Sequence, residues 1–159
     1  MNIVLPIEEV KINNTYFGEP IVNTVMDDSK FIKILYSNEF ITLNGIFINF
    51  PLKITTCENY FRKLKYSFDL NINRDMLQKV FTLEKIVLEH YNTNKKQIKY
   101  TLKESILTGI LKIFPNTDIN DTSYNNNNNN NTNNKFVLKI SGIWESPNEL
   151  GLTYKISSI

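Results

Sequence analysis

Hydrophobic and polar residues alternate most cleanly at the C-terminal end of the chain, residues 135–159 (KFVLKISGIWESPNELGLTYKISSI). Phe136, Leu138 and Ile140 alternate with Val137, Lys139 and Ser141. After a break, Leu150, Leu152, Tyr154 and Ile156 alternate with Gly151, Thr153 and Lys155. Period-two alternation lays each set on one face of a pleated ribbon. Ser146-Pro147-Asn148 supplies the break, because proline gives a ladder no donor and presets turn torsions. The pattern predicts a β-hairpin. Two strands alone are barely stable in water, so it also predicts a sheet built earlier in the chain for the hairpin to complete.

Upstream, residues 3–12 (IVLPIEEVKI) read as an edge strand, with Pro6 excluding a central one, and residues 13–20 as a loop. Residues 31–36 (FIKILY) form a strand that residues 40–43 continue. Asn44-Gly45 is a strong hairpin signal, since both residues tolerate the positive φ of a type I′ turn. It leads into a strand at residues 46–50. In residues 63–70 (KLKYSFDL), Leu64, Tyr66, Phe68 and Leu70 take one side; Lys63, Lys65, Ser67 and Asp69 take the other.

The period then becomes helical. Asn73 caps a predicted helix over residues 74–92, with an apolar stripe of Met76, Leu77, Val80, Phe81, Leu83, Ile86, Val87 and Leu88. Asp75 in its first turn and His90 in its last suit the helix dipole. Thr101-x-x-Glu104 resembles a capping box for a second, shorter helix through Ile106 and Leu107. Gly109 can end it, and residues 110–114 fit either helix or strand. Residues 116–134, with the unbroken run 125–131 of asparagine, bury no apolar surface and read as a flexible Asn-rich loop.

The order is three strands, helices, then a hairpin. It predicts an α+β domain over residues 1–159, mainly antiparallel β, built as an OB-like barrel with a helical insert between strand 3 and the C-terminal hairpin. An α+β sandwich with helices on one face of the sheet is the competing architecture.

Composition narrows the chemistry. A chain of 159 residues suits one domain. One cysteine, Cys57, excludes an internal disulfide and a Cys-rich zinc site, and one histidine, His90, leaves little for a soft metal. Glu8-Glu9 and Asp27-Asp28 lack the spacing of an oxygen-ligand loop. Cys57 with His90 has no orienting third group nearby in sequence. No Gly-rich phosphate loop, HExxH or GxSxG occurs. The expectation is a non-enzyme without metal or cofactor. No basic leader opens the chain and no apolar run nears 18 residues, which predicts an intracellular protein with no membrane partner.

Net charge is +2 but unevenly spread: residues 60–112 hold 11 basic and 5 acidic side chains, against 4 and 7 in residues 1–59. Clustered positive charge is what a phosphate backbone requires, and also what a solvated face looks like. Single-strand binders combine a basic groove with aromatic rings on which bases stack. Lys63, Lys65, Lys139 and Lys155 fall on the non-core parity of their strands. Phe31 and Phe47 oppose the parity of Ile32, Ile34, Ile46 and Ile48, which makes them exposed stacking candidates, with Lys33 alongside. Trp144 shares parity with Phe136 and Leu138, and Tyr154 with Leu150 and Leu152. Both read as core unless a bulge at Gly142 swings Trp144 outward. The candidate nucleic-acid set is Phe31, Lys33, Phe47, Lys63, Lys65, Lys139, Trp144, Tyr154 and Lys155.

The segments FIKILYSNEFITLNGIFI and KFVLKISGIWESPNELGLTYKI, with the Asn tract, resemble uncharacterised proteins of nucleocytoplasmic large DNA viruses, the giant viruses. In element order alone the chain is similar to OB-fold single-stranded DNA-binding proteins. The phage type of these ends in an acidic tail, whereas this sequence ends YKISSI, so no recruiting tail is implied. The resemblance implies a viral accessory protein of replication, repair or transcription, sited in a cytoplasmic viral factory or a virion. The alternative is a structural or complex subunit that contacts other viral proteins, or itself, through the same sheet or an exposed strand edge.

Overall fold

The computed structural model describes residues 3–115 and 132–159. Its strands are β1 (Thr15–Phe17), β2 (Ile21–Val22), β3 (Lys30–Ser37), β4 (Thr42–Leu43), β5 (Ile46–Tyr60), β6 (Lys63–Phe68), β7 (Gln97–Lys99), β8 (Ile110–Ile113), β9 (Thr132–Glu145) and β10 (Glu149–Ser158). Two helices, α1 (Arg74–Tyr91) and α2 (Thr101–Ile106), lie between β6 and β8 in sequence. The fold is α+β with a mostly antiparallel sheet.

The hairpin forms where the alternation predicts it. β9 and β10 pair from Glu145 opposite Leu150 to Phe136 opposite Ser158. The Ser146 amide and hydroxyl both donate to the Glu149 carbonyl and close the turn around Pro147. The second edge of β9 takes two partners in succession. β5 pairs along it from Ile54 opposite Thr132 to Ile46 opposite Ile140, and β3 then pairs from Lys33 opposite Gly142 to Lys30 opposite Glu145. Residues 132–134, expected in the Asn-rich loop, are therefore ladder residues of β9; the rest of that expected loop lies outside the described residues.

β5 pairs β6, and β6 pairs β8, all antiparallel. The order β9-β5-β6-β8 is that of a Greek key, in which the fourth strand returns beside the first. The expected barrel does not close. β8 and β10 come within 8 Å (Cα–Cα) but do not pair. The edge of β10 is taken first by β7, parallel to it over Glu149–Gly151, and the Thr101 hydroxyl of α2 then bonds the Leu152 carbonyl. α2 thus stands where β8 would have to lie, and the sheet stays open.

Three other expectations change. Residues 3–12 are not an edge strand: Leu5 makes one parallel bridge to Ile48, and after Pro6 the chain coils into two short 3-10 turns. Residues 15–17, expected in a loop, pair with β3 as β1. Asn44-Gly45 does not join a hairpin, because β4 folds back on β3 rather than on β5. Gly45, at φ +126°, instead carries the chain from one strand to the other so close to β9 that a Cβ would stand 2.7 Å from the Ile140 carbonyl oxygen. The ambiguous residues 110–113 are strand β8.

Both helices cover one face of the sheet. Leu77, Val80, Leu83, Val87 and Leu88 of α1, with Leu102 and Ile106 of α2, share one core with Ile32, Ile34, Ile46, Ile48, Phe50, Phe136, Leu138, Ile140, Ile143 and Leu152. Each such side chain contributes about 1.5–3 kcal/mol on burial. Asn73 does not cap α1; its amide group bridges the Lys53 amide and carbonyl and the Asp69 carbonyl, pinning the helix start to β5. The predicted capping box at Thr101 is replaced by Glu84 of α1, fully buried, whose two carboxylate oxygens accept the Leu102 and Lys103 amides at 3.0 Å each. On the opposite face of β3, β5, β9 and β10, among the described residues, no helix packs.

Candidate nucleic-acid interface

That helix-free face is built from the strand residues of non-core parity, read across the ladders. One row runs Phe31, Trp144, Gly151; the next runs Lys33, Gly142, Thr153. Past an irregularity comes Phe47, Lys139, Lys155, and then Asn49, Val137, Ser157. The irregularity is a bulge in β9. Thr153 faces Gly142 and Tyr154 faces Ile140, leaving Ser141 between them without an opposite residue. Ile140 and Ile143 are consequently both buried, and the parity of everything beyond Ser141 is reversed. Trp144 comes out onto the helix-free face by this inversion.

Two aromatic rings lie against this face where two glycines make room. A Cβ at Gly151 would stand 2.6 Å from Cζ2 of Trp144, and one at Gly142 would stand 2.5 Å from Cε2 of Phe31. Each ring therefore fills the space that a side chain at the glycine would take. Laying an aromatic over a strand glycine restores burial that the glycine lacks, and it also leaves a flat apolar platform. Phe31 and Trp144 are half-buried, with exposed Lys33 in the next row and exposed Lys155 beyond the bulge. The one acid of that parity in β10, Glu149, is paired with Lys99 at 3.4 Å.

The predicted residues separate into distinct places. Phe31, Lys33, Lys139, Trp144 and Lys155 come together on the helix-free face. Phe47 has the expected parity but not the expected exposure: only 9% of it is accessible, and the Lys139 ammonium sits 5.2 Å from its ring centroid. Tyr154 turns inward, opposite Ile140, and packs against the core. Lys63 and Lys65 belong to another region. β5 continues past the end of β9 and pairs β6, so Tyr60 lies about 40 Å of strand contour from Phe47. There Lys65 forms an ion pair with Glu58 at 3.0 Å, and Lys63 stands 4.6 Å over the Phe114 ring.

Sequence reasoning missed this second cluster. Lys112 of β8 stands 4.3 Å over Tyr60, and Phe61, 92% exposed at φ +55°, meets Tyr60 edge-on at 4.9 Å. The signal was the triplet Tyr60-Phe61-Arg62 ahead of the basic strand. The rings of Tyr60 and Phe114 each already carry a lysine, although Phe114 and Phe61 are themselves more exposed than the half-buried Trp144.

A cleft of about 620 Å³ lies between β3, the end of α1 and the β9–β10 turn, lined by Lys30, Tyr91, Lys96 and Glu145 among others. Tyr91 donates to Glu145 at 2.9 Å, and Lys96 pairs with the other carboxylate oxygen at 2.8 Å. Burial raises the Glu145 carboxyl, but the Lys96 and Tyr91 hydrogen bonds outweigh it and hold its pKa below the usual range. Burial, then the bond to Glu145, pushes the Tyr91 phenol up to about 12. At neutral pH Glu145 is ionised and Tyr91 keeps its proton, and their bond ties α1 to β9, so the cluster is built for cohesion rather than proton transfer. Burial likewise raises the Cys57 thiol, while His90 packs on Phe17 at 5.8 Å, and no hydrogen bond among the described residues joins the two.

Among the described residues no helix is long and apolar enough to cross a membrane. Comparison with protein-family models, with curated proteins and with solved structures gave no match.

Proposed function

We propose that this chain is a binding domain, not an enzyme, that holds single-stranded nucleic acid, DNA before RNA, on the helix-free face of its sheet. One observation carries the reading. The Ser141 bulge turns Trp144 out beside Phe31, both rings lie against glycines, Lys33 stands in the next row, and Lys139 and Lys155 stand in the row past the bulge. Every base has a π-face, so a flat ring beside phosphate-seeking ammonium groups recognises a single strand without a sequence motif. OB-folds likewise bind oligonucleotides along a strand face of a Greek-key barrel, whereas here the sheet is open.

A protein partner is the rival occupant, since exposed aromatics on a sheet also suit an interface. Trp144 is the chain's one tryptophan, and it lets one titration separate the two. A labelled poly-dT oligonucleotide is titrated at about 50 and about 200 mM salt while Trp144 emission is followed. Quenched emission with affinity that falls steeply between the two salts supports the proposal. No binding at the lower salt sinks it and leaves the face to a protein.

A further inference from the structure

The opening between β8 and β10 is a groove of about 460 Å³, lined by residues 110–115 and 154–157 with Ser105. Its two walls are strand edges. β8 pairs only β6, and β10, beyond Gly151, pairs only β9, so each wall has one edge without a partner strand among the described residues. A hydrogen-bonded pair is spaced about 4.8 Å, and two strands that flank a third stand about 10 Å apart. β8 and β10 approach to 8 Å or less at their closest, so a strand seated between them spreads that end of the opening by about 2 Å or more.

The side chains of the groove alternate as the walls do. Leu111 and Ile113 of β8, with Tyr154 and Ile156 of β10, have core parity and form an apolar floor. Lys112 and Lys155 have the opposite parity and stand at the rim; among the described residues they are the only charged ones in the lining. Lys112, although seated over Tyr60, keeps ammonium donors for a carboxylate.

We infer that this groove docks an extended peptide whose apolar side chains alternate with aspartate or glutamate, added as a strand between β8 and β10. Main-chain hydrogen bonds to the open edges give such a segment its affinity, and alternate side-chain contacts give it specificity. The apolar residues meet the floor and the acidic ones meet Lys112 and Lys155. A nucleic-acid strand supplies the charge but no alternating apolar groups for the floor.

The test uses the whole chain and a labelled nonapeptide of alternating valine and glutamate. Two relatives of the peptide accompany it: one with lysine for glutamate, and one N-methylated at alternate amides. The expected result is saturable binding of the glutamate peptide alone, weakened about tenfold or more by Lys112→Glu. Amide exchange should slow in β8 and at residues 154–156. Binding that survives N-methylation, binding shared by the lysine peptide, indifference to Lys112→Glu, or no saturable binding each overturns the inference. Lys112 lies outside the Trp144 platform, so oligonucleotide affinity in Lys112→Glu stays at the wild-type level. The two readings therefore fail independently.

Discussion

Trp144 lies across Gly151 of the neighbouring strand, its Cζ2 occupying space 2.6 Å from where a β-carbon would be. Gly151→Ala should therefore displace the indole rather than the strand, at a cost of about 1 kcal/mol in unfolding free energy. A shifted Trp144 emission maximum and a modest fall in urea midpoint check this. Oligonucleotide affinity should fall with the displaced ring, as it should in Trp144→Leu, where losing one stacked base costs about 1–3 kcal/mol.

Lys33 and Lys155 are exposed, so changing them leaves the core untouched. If both contact phosphates, Lys33→Gln with Lys155→Gln lowers the slope of log affinity against log salt by about 1.4. Anisotropy at four or five salt concentrations measures it. An unchanged slope places the phosphates elsewhere.

Glu84 is a buried carboxylate held by the Leu102 and Lys103 amides. Glu84→Ala leaves two helix-start donors without an acceptor and should destabilise the fold by about 1–3 kcal/mol. Burial raises its pKa above the ordinary carboxylate value. The folded state then holds a proton that the unfolded chain has released, so this group's contribution falls as pH rises from about 4.3 through the raised pKa. Glu84→Gln should flatten that segment of a stability-versus-pH curve measured by urea unfolding.

Glu145 shifts the other way. Its depressed pKa makes its contribution present above about pH 4.3 and lost as pH falls through the folded-state value. Acid unfolding monitored by circular dichroism should begin at higher pH in Lys96→Met, which removes the cation, than in the parent chain.

Gly45 combines φ +126° with a backbone approach that a methyl group cannot enter. Gly45→Ala should cost about 2 kcal/mol or more, and Asn44→Ala, beside it, far less. Paired urea titrations distinguish the two.

Strand parity was the most legible property of the chain. It placed Phe136, Leu138, Ile140, Leu150 and Leu152 in the core, and Lys139 and Lys155 outside it. It located α1 with nearly all of its buried stripe. It did not reveal that Asn44-Gly45 serves a crossing instead of a hairpin, because the partner of a strand is a tertiary choice that local turn chemistry does not encode. Glu84 was invisible for the same reason: its reward lies in amides 18 and 19 residues away. Phe47 had the right parity, yet parity says nothing of a lysine from the next strand lying over the ring. Trp144 turned on one residue, since the bulge that exposes it leaves only a glycine and a serine as its trace.

β9 pairs with β3, β5 and β10, and among the described residues no other strand joins these three. As the chain is synthesised, β3 and β5 exist for a long interval with edges that nothing covers, and the hairpin that satisfies them comes last. Such non-local closure is slow and leaves unpaired edges exposed to other chains. The same strand that presents the tryptophan is thus the one whose arrival converts a collection of open edges into a sheet, and any delay at that step favours aggregation over assembly.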